Sequence, residues 1–91
     1  MRRFGRAPAG TIGLELLTRG GCHLCEEMAA VLDATLPELG LGYRRVDVDA
    51  DPDLRQRFGE TIPVLLRDGL PVAKVRVSAN DLRRILARRR G

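Results

Sequence analysis

Apolar residues crowd the stretch TIGLELLT, from Thr11 to Thr18, which stops at Gly20-Gly21. Apolar density without a helical period, closed by two glycines, predicts a buried strand. Beyond it Leu24, Met28, Val31, Leu32, Leu36 and Leu39 recur three to four positions apart. That spacing predicts one face of a helix from about Cys22 to Leu36, with Pro37 and Gly40 marking its exit. In LGYRRVDVDA, the residues Tyr43, Val46 and Val48 stand among charges, the pattern of a half-exposed strand at a sheet edge. Asp51 is placed to cap a short helix with Pro52 at its first position and Gly59 after its end. Leu54 and Phe58, four apart, give that helix an inward face. PVLLRDG and LPVAKVRV read as two strands turned through Asp68-Gly69, a strong hairpin signal. Ser78 is placed to cap a last helix, with Asp81 three residues on for a box-like arrangement and Leu82, Ile85 and Leu86 facing the core.

The predicted order is β-α-β-α-β-β-α. A helix between the first two strands favours a parallel pair, and the last two strands form an antiparallel hairpin. The expected fold class is therefore α/β, a four-stranded mixed sheet with helices on both faces. Residues 11–91 form this one domain, and residues 1–10 read as a flexible basic tail.

Composition narrows the picture. Ninety-one residues give a small core, and with one Tyr, two Phe and no Trp it must be filled by aliphatic side chains. No stretch approaches the roughly 20 apolar residues of a membrane span, and the basic start leads into no apolar run. A soluble, cytoplasmic monomer is expected. Net charge is +4, with sixteen basic residues, of which one is Lys and the rest Arg. Arginines gather at Arg2, Arg3 and Arg6 and again at Arg83, Arg84 and Arg88 to Arg90. No aromatic residues are interleaved with the C-terminal arginines, so that cluster reads as a solvated helix end complementing carbonyl dipoles, and a nucleic-acid partner is not favoured. Asp47, Asp49 and Asp51 lack the further oxygen ligands of a recognisable cation loop.

The chemistry sits in GGCHLCEE, which holds both cysteines and the single histidine. A structural zinc site needs four ligands, and one chain offers Cys22, Cys25 and the adjacent His23. Haem attachment would need His after the second cysteine, where Glu26 stands. A bridge across two residues closes too short a loop to stabilise the chain much. Redox chemistry fits better. Residues three apart at a helix start lie on one face within reach of a disulfide. Cys22 falls at the helix mouth, where unpaired N–H groups and the dipole favour a thiolate. Cys22 is then the nucleophile that attacks a substrate disulfide, and Cys25, one turn further in, resolves the mixed disulfide. His23 either stabilises that thiolate or is a solvent-facing spacer, and the sequence leaves both open. A different reading has the two thiols binding zinc or an iron–sulfur cluster across a dimer, as an interaction module.

From Ile12 to Arg90 the chain resembles a glutaredoxin-like member of the thioredoxin-fold superfamily. The likeness rests on Cys22-His23-Leu24-Cys25 after a buried strand and on Thr61-Ile62-Pro63-Val64 opening the third strand. It implies a thiol–disulfide oxidoreductase that reduces protein or glutathione mixed disulfides, with no bound cofactor and with glutathione as reductant or co-substrate. It also implies a cis Ile62–Pro63 bond in a loop facing the cysteines, with Thr61, Ile62 and Pro63 on the substrate side. Arg19 matches the family's basic residue for a glutathione carboxylate, and Asn80 and Asp81 fall where the family has acidic residues at the last helix start. Between the cysteines this chain has His-Leu where glutaredoxins carry Pro-Tyr, and Val77-Ser78 replaces the glutaredoxin Gly-Gly before the last helix.

Overall fold

The structure, a computed structural model, describes residues 13–87. The expected basic tail, the first two residues of the expected first strand and the arginines at 88–90 lie outside these residues.

Strands β1 (Leu14–Thr18), β2 (Arg44–Asp47), β3 (Val64–Arg67) and β4 (Leu70–Lys74) alternate with helices α1 (His23–Thr35), α2 (Pro52–Phe58) and α3 (Ala79–Ala87) in the expected order. The sheet order is β2-β1-β3-β4. β1 pairs parallel with β2 and antiparallel with β3, and β3 pairs antiparallel with β4. β2 is an edge strand, as its charge pattern predicts.

Alternation along β1 sends its side chains to two cores. On one face Leu14, Leu16 and Leu65 pack with Met28, Ala29 and Leu32 of α1 and with Leu82 and Leu86 of α3. On the other, Leu17, Val64 and Leu66 pack with Val48 and with Phe58 of α2. Helices therefore cover both faces. Each buried Leu contributes about 1.5–3 kcal/mol relative to an exposed one, which fixes which way the central strands can face.

Local chemistry sets the boundaries. α1 stops at Thr35, and a 3-10 turn over Leu36–Leu39 carries Pro37, which has no N–H to continue the ladder. Gly40, at φ 73°, closes that turn in the left-handed region. Val48 departs from its expected strand position. The Asp47 carboxylate accepts the Asp49 N–H at 2.9 Å and turns the chain into a 3-10 segment, Val48–Ala50, which buries Val48 completely. The Asp51 carboxylate caps α2 by accepting the Asp53 N–H at 2.9 Å. Asp68 and Gly69 both have positive φ, 52° and 87°, as a two-residue hairpin with this hand of twist requires. Asp68 also grips the start of β1, donating its N–H to the Gly13 carbonyl at 2.7 Å and accepting the Gly13 N–H on Oδ1 at 3.0 Å.

The last strand ends earlier than its apolar run predicts. At Val75 φ is +68°, a left-handed value that takes the chain out of the sheet. The Ser78 hydroxyl caps α3 by accepting the Asp81 N–H at 3.0 Å. The Asp81 carboxylate pairs with Arg84, one turn along its own helix.

Candidate active site

The register places the functional loops at one end of the sheet. Leu17 lies opposite Val64, so the loop leaving β1 after Thr18 starts beside the Ile62–Pro63 segment that enters β3. Thr18 also lies beside Asp47, which brings the β2–α2 connection to the same end. Val75 joins them from β4, donating its N–H to the Pro63 carbonyl at 2.7 Å.

Cys22 is the N-cap of α1, with extended backbone at φ −94° and ψ 107°. Gly21, at φ 77°, supplies the turn that sets it there, and the Cys22 N–H donates back to the Arg19 carbonyl at 3.3 Å. The Cys22 Sγ accepts a hydrogen bond from the Cys25 N–H at 3.1 Å, filling the cap position usually taken by an oxygen. Cys22 and Cys25 are joined as a disulfide with Cα atoms 5.2 Å apart. The two are not equivalent. Cys25 is fully buried, whereas Cys22 is half-buried behind exposed Gly20 and Gly21, which have open space where side chains would be.

The Ile62–Pro63 bond is cis, as the resemblance implies. Pro63 is buried, and Ile62 packs partly against the α2-side core. Thr61 is anchored by its N–H and its hydroxyl, which donate to the Phe58 carbonyl at 2.9 Å and 3.2 Å.

Arg19 belongs to this end of the molecule, but its guanidinium is already engaged. Nε and an Nη donate to the two Asp49 oxygens at 2.7 Å and 2.8 Å, and the other Nη donates to the Gly59 carbonyl at 3.2 Å. These hydrogen bonds hold the Asp49 carboxyl below the usual carboxylate range and raise Arg19 further above its ordinary value. Asp47 and Glu60 add to the negative field on Arg19.

His23 points outward. It is 86% exposed, with Nε2 placed 2.9 Å from Glu27 Oε2, one turn along α1. Arg76 approaches the other Glu27 oxygen at 3.8 Å. The imidazole is thus paired within its own helix and open to solvent.

Asp81 lines a groove with Glu27, Met28 and Val31 of α1 and with Val75 and Val77. The Asn80 Oδ1 accepts from Arg83 at 2.9 Å. The structure thus brings Cys22, Cys25, Arg19 and the Thr61–Pro63 loop to one end of the sheet, and sets Asp81 on the neighbouring groove without Asn80. Val75, Asp49 and Gly59 are the site's additions to the sequence reading. Asp49 stood out there only as part of an acidic run, and Val75 carried no signal. Among the described residues no three His, Cys, Asp or Glu side chains gather to hold a metal ion, and no helix is long and apolar enough to cross a membrane.

Comparison with known proteins gives a consistent result. The family described as Glutaredoxin-like domain (DUF836) matches residues 13–87. An uncharacterised protein of Mycobacterium tuberculosis is 39% identical over 80 residues, 82% of each chain, and a Mycobacterium bovis protein matches equally. Among solved structures, a structural-genomics target from X. campestris superposes with a TM-score of 0.71 at 28% identity, covering 82% of this chain and 96% of that one. Thioredoxin-2 of the malaria parasite superposes at 0.66 with 22% identity, covering 91% and 87%, a likeness of fold.

Proposed function

The chain belongs to the glutaredoxin-like domain family, and on that premise we propose that it is a small dithiol–disulfide oxidoreductase reducing mixed disulfides through Cys22 and Cys25. Family, thioredoxin fold and CxxC pair together support a thiol redox role. The observation that carries the finer reading is the asymmetry of the pair. Cys22 is half-buried at a helix mouth, its sulfur hydrogen-bonded by the Cys25 N–H, and Cys25 is sealed behind it. An N–H aimed at sulfur and the positive helix end both favour the thiolate, which is the attacking species.

The chemistry starts from the reduced pair. The Cys22 thiolate attacks one sulfur of a substrate disulfide, forming a mixed disulfide and releasing the other sulfur as a thiolate, which takes up a proton. Cys25 then loses its proton and attacks Cys22 Sγ. The Cys22–Cys25 bond forms, the mixed bond breaks and the second substrate sulfur leaves as a thiol. Two electrons have passed from the pair to the substrate. A thiol reductant such as glutathione returns the protein to its dithiol, which suits a reducing compartment such as the cytoplasm. One chain carries the whole cycle, so a monomer suffices.

The experiment is to equilibrate the protein across glutathione redox buffers and measure the Cys22–Cys25 disulfide by mass. A sharp transition supports the reading, and Cys25→Ser is expected to hold a trapped mixed disulfide on Cys22. A pair that stays dithiol in every buffer would end it.

A further inference from the structure

We propose that Arg19 is an internal brace rather than an anion receptor, and that the substrate is therefore a polypeptide disulfide in preference to a glutathione mixed disulfide. The proposal rests on the redox reading above and narrows its substrate class.

All three guanidinium nitrogens of Arg19 bond within the chain. A two-point fork meets Asp49, beyond β2, and the remaining nitrogen meets the Gly59 carbonyl, at the end of α2. Bidentate Arg–carboxylate pairing is the geometrically specific form of this interaction. It differs from the pairs of Asn80 with Arg83 and Asp81 with Arg84 in joining segments 30 positions apart through two bonds rather than lying within one helix, although both of its side chains are partly in solvent, each 38% exposed. The fit around Gly59 is close. A Cβ there would stand 2.5 Å from the Arg55 carbonyl oxygen and 3.4 Å from an Arg19 Nη.

The two anchors of Arg19 have distinct consequences. Its backbone carbonyl accepts the Cys22 N–H, so Arg19 sits at the root of the cap that positions the Cys22 sulfur. Its side chain reaches Gly59, two residues before Thr61 and therefore just ahead of the cis-proline loop. One residue thus ties the loop before Cys22 to the turn leading into Ile62–Pro63.

That use withdraws its charge from ligands. A glutathione carboxylate seeking Arg19 would have to displace Asp49 and approach through the field of Asp47 and Glu60. Glutathione carries two carboxylates and one ammonium at neutral pH, and it finds in Arg19 no free cation to hold it. A disulfide within a neutral peptide meets no such opposition.

The test compares second-order oxidation rates of the pre-reduced protein by a neutral peptide homodisulfide and by the same peptide glutathionylated. The peptide homodisulfide is expected to react about tenfold faster. Arg19→Gln is expected to slow both substrates by a similar factor. Asp49→Asn, which loosens the brace but frees the guanidinium, is expected to slow the homodisulfide alike and to narrow the difference between the two substrates. The double variant is expected to behave like Arg19→Gln. Arg19→Lys, which keeps the charge but loses the fork, is expected to behave like Arg19→Gln. The brace also predicts that Cys22 ionises at higher pH in Arg19→Gln, a readout that a purely structural loss elsewhere would not move. The proposal is overturned if Arg19→Gln weakens only the glutathionylated substrate, if Arg19→Lys restores it, or if Cys22 titration is unchanged. In those outcomes the oxidoreductase stands and the brace falls. Failure of the wild type to react with either disulfide would remove both.

Discussion

The N–H of Cys25 points at the sulfur of Cys22 across 3.1 Å, so on the proposed function Cys25 would polarise its partner through its backbone as well as attack it through its side chain. The two roles are separable. Cys25→Ser deletes the attacking sulfur and keeps the donor. In that variant Cys22 is expected to titrate below the ordinary thiol value of about 8.5. Ultraviolet thiolate absorbance against pH checks this, and an ordinary thiol titration would contradict it.

His23 leads to an opposite expectation. Its imidazole lies on Glu27 and is almost wholly in solvent, where a charge is heavily screened. His23→Ala should leave the Cys22 titration within about 0.3 of a pH unit, the shift corresponding to less than about 0.5 kcal/mol. A clear upward shift would show that the imidazole acts on the thiolate after all.

Val75 carries backbone strain. A β-branched residue at φ +68°, with the Arg76 N–H donating to the Lys74 carbonyl at 2.7 Å, forms a three-residue turn of the unfavourable hand. Such conformations cost about 1–3 kcal/mol, and the entropy of an added glycine costs about 0.5–1 kcal/mol. Because Val75→Gly also gives up the covered part of a side chain that is 38% exposed, it is expected to raise stability by no more than about 1 kcal/mol in chemical denaturation. A lowered midpoint at unchanged slope would refute the strain.

Leu16 is fully buried at the centre of the α1–α3 side. Leu16→Ala should destabilise the fold by about 2–5 kcal/mol, a large share of what a small domain has. The same denaturation measurement decides it.

Tyr43 gives a pH dependence. Burial first, and then its hydrogen bond to Asp33 at 2.8 Å, push its hydroxyl up to about 12. The folded state thus holds a proton that the unfolded chain releases near pH 10. The contribution is complete below about pH 10 and is lost as pH rises toward 12. Tyr43 is only half-buried, so solvent screening limits the effect to about 1 kcal/mol. Tyr43→Phe should flatten the stability curve in that window, and an unchanged alkaline slope would count against it.

Local periodicity made most of the fold legible. The spacing of Met28, Leu32 and Leu36, the Asp51 and Ser78 caps and the Asp68-Gly69 turn each report short-range physics, and each is found where it points, whereas Leu24 of the same series stays outside the core. The cysteine pair was legible for the same reason. Arg19 was not. Its partners lie 30 and 40 positions away, and only the assembled sheet brings them together. Val48 read as a strand residue because the turn that buries it depends on one Asp47 side-chain bond. Val75 runs against its own backbone preference, which a pattern of apolar residues cannot reveal.

Both flanks of the sheet discourage an incoming chain from extending it. β2 is four residues long and bears Arg44, Arg45 and Asp47, while β4 carries Pro71, Lys74 and a register shift opposite Leu65/Leu66. Short length, charge, proline and irregular register are the means by which exposed strand borders avoid templating another. A target polypeptide consequently has no long ladder to grip. On the proposed function it would meet this protein head-on, over a few residues around its sulfur, and leave again once the bond has been exchanged.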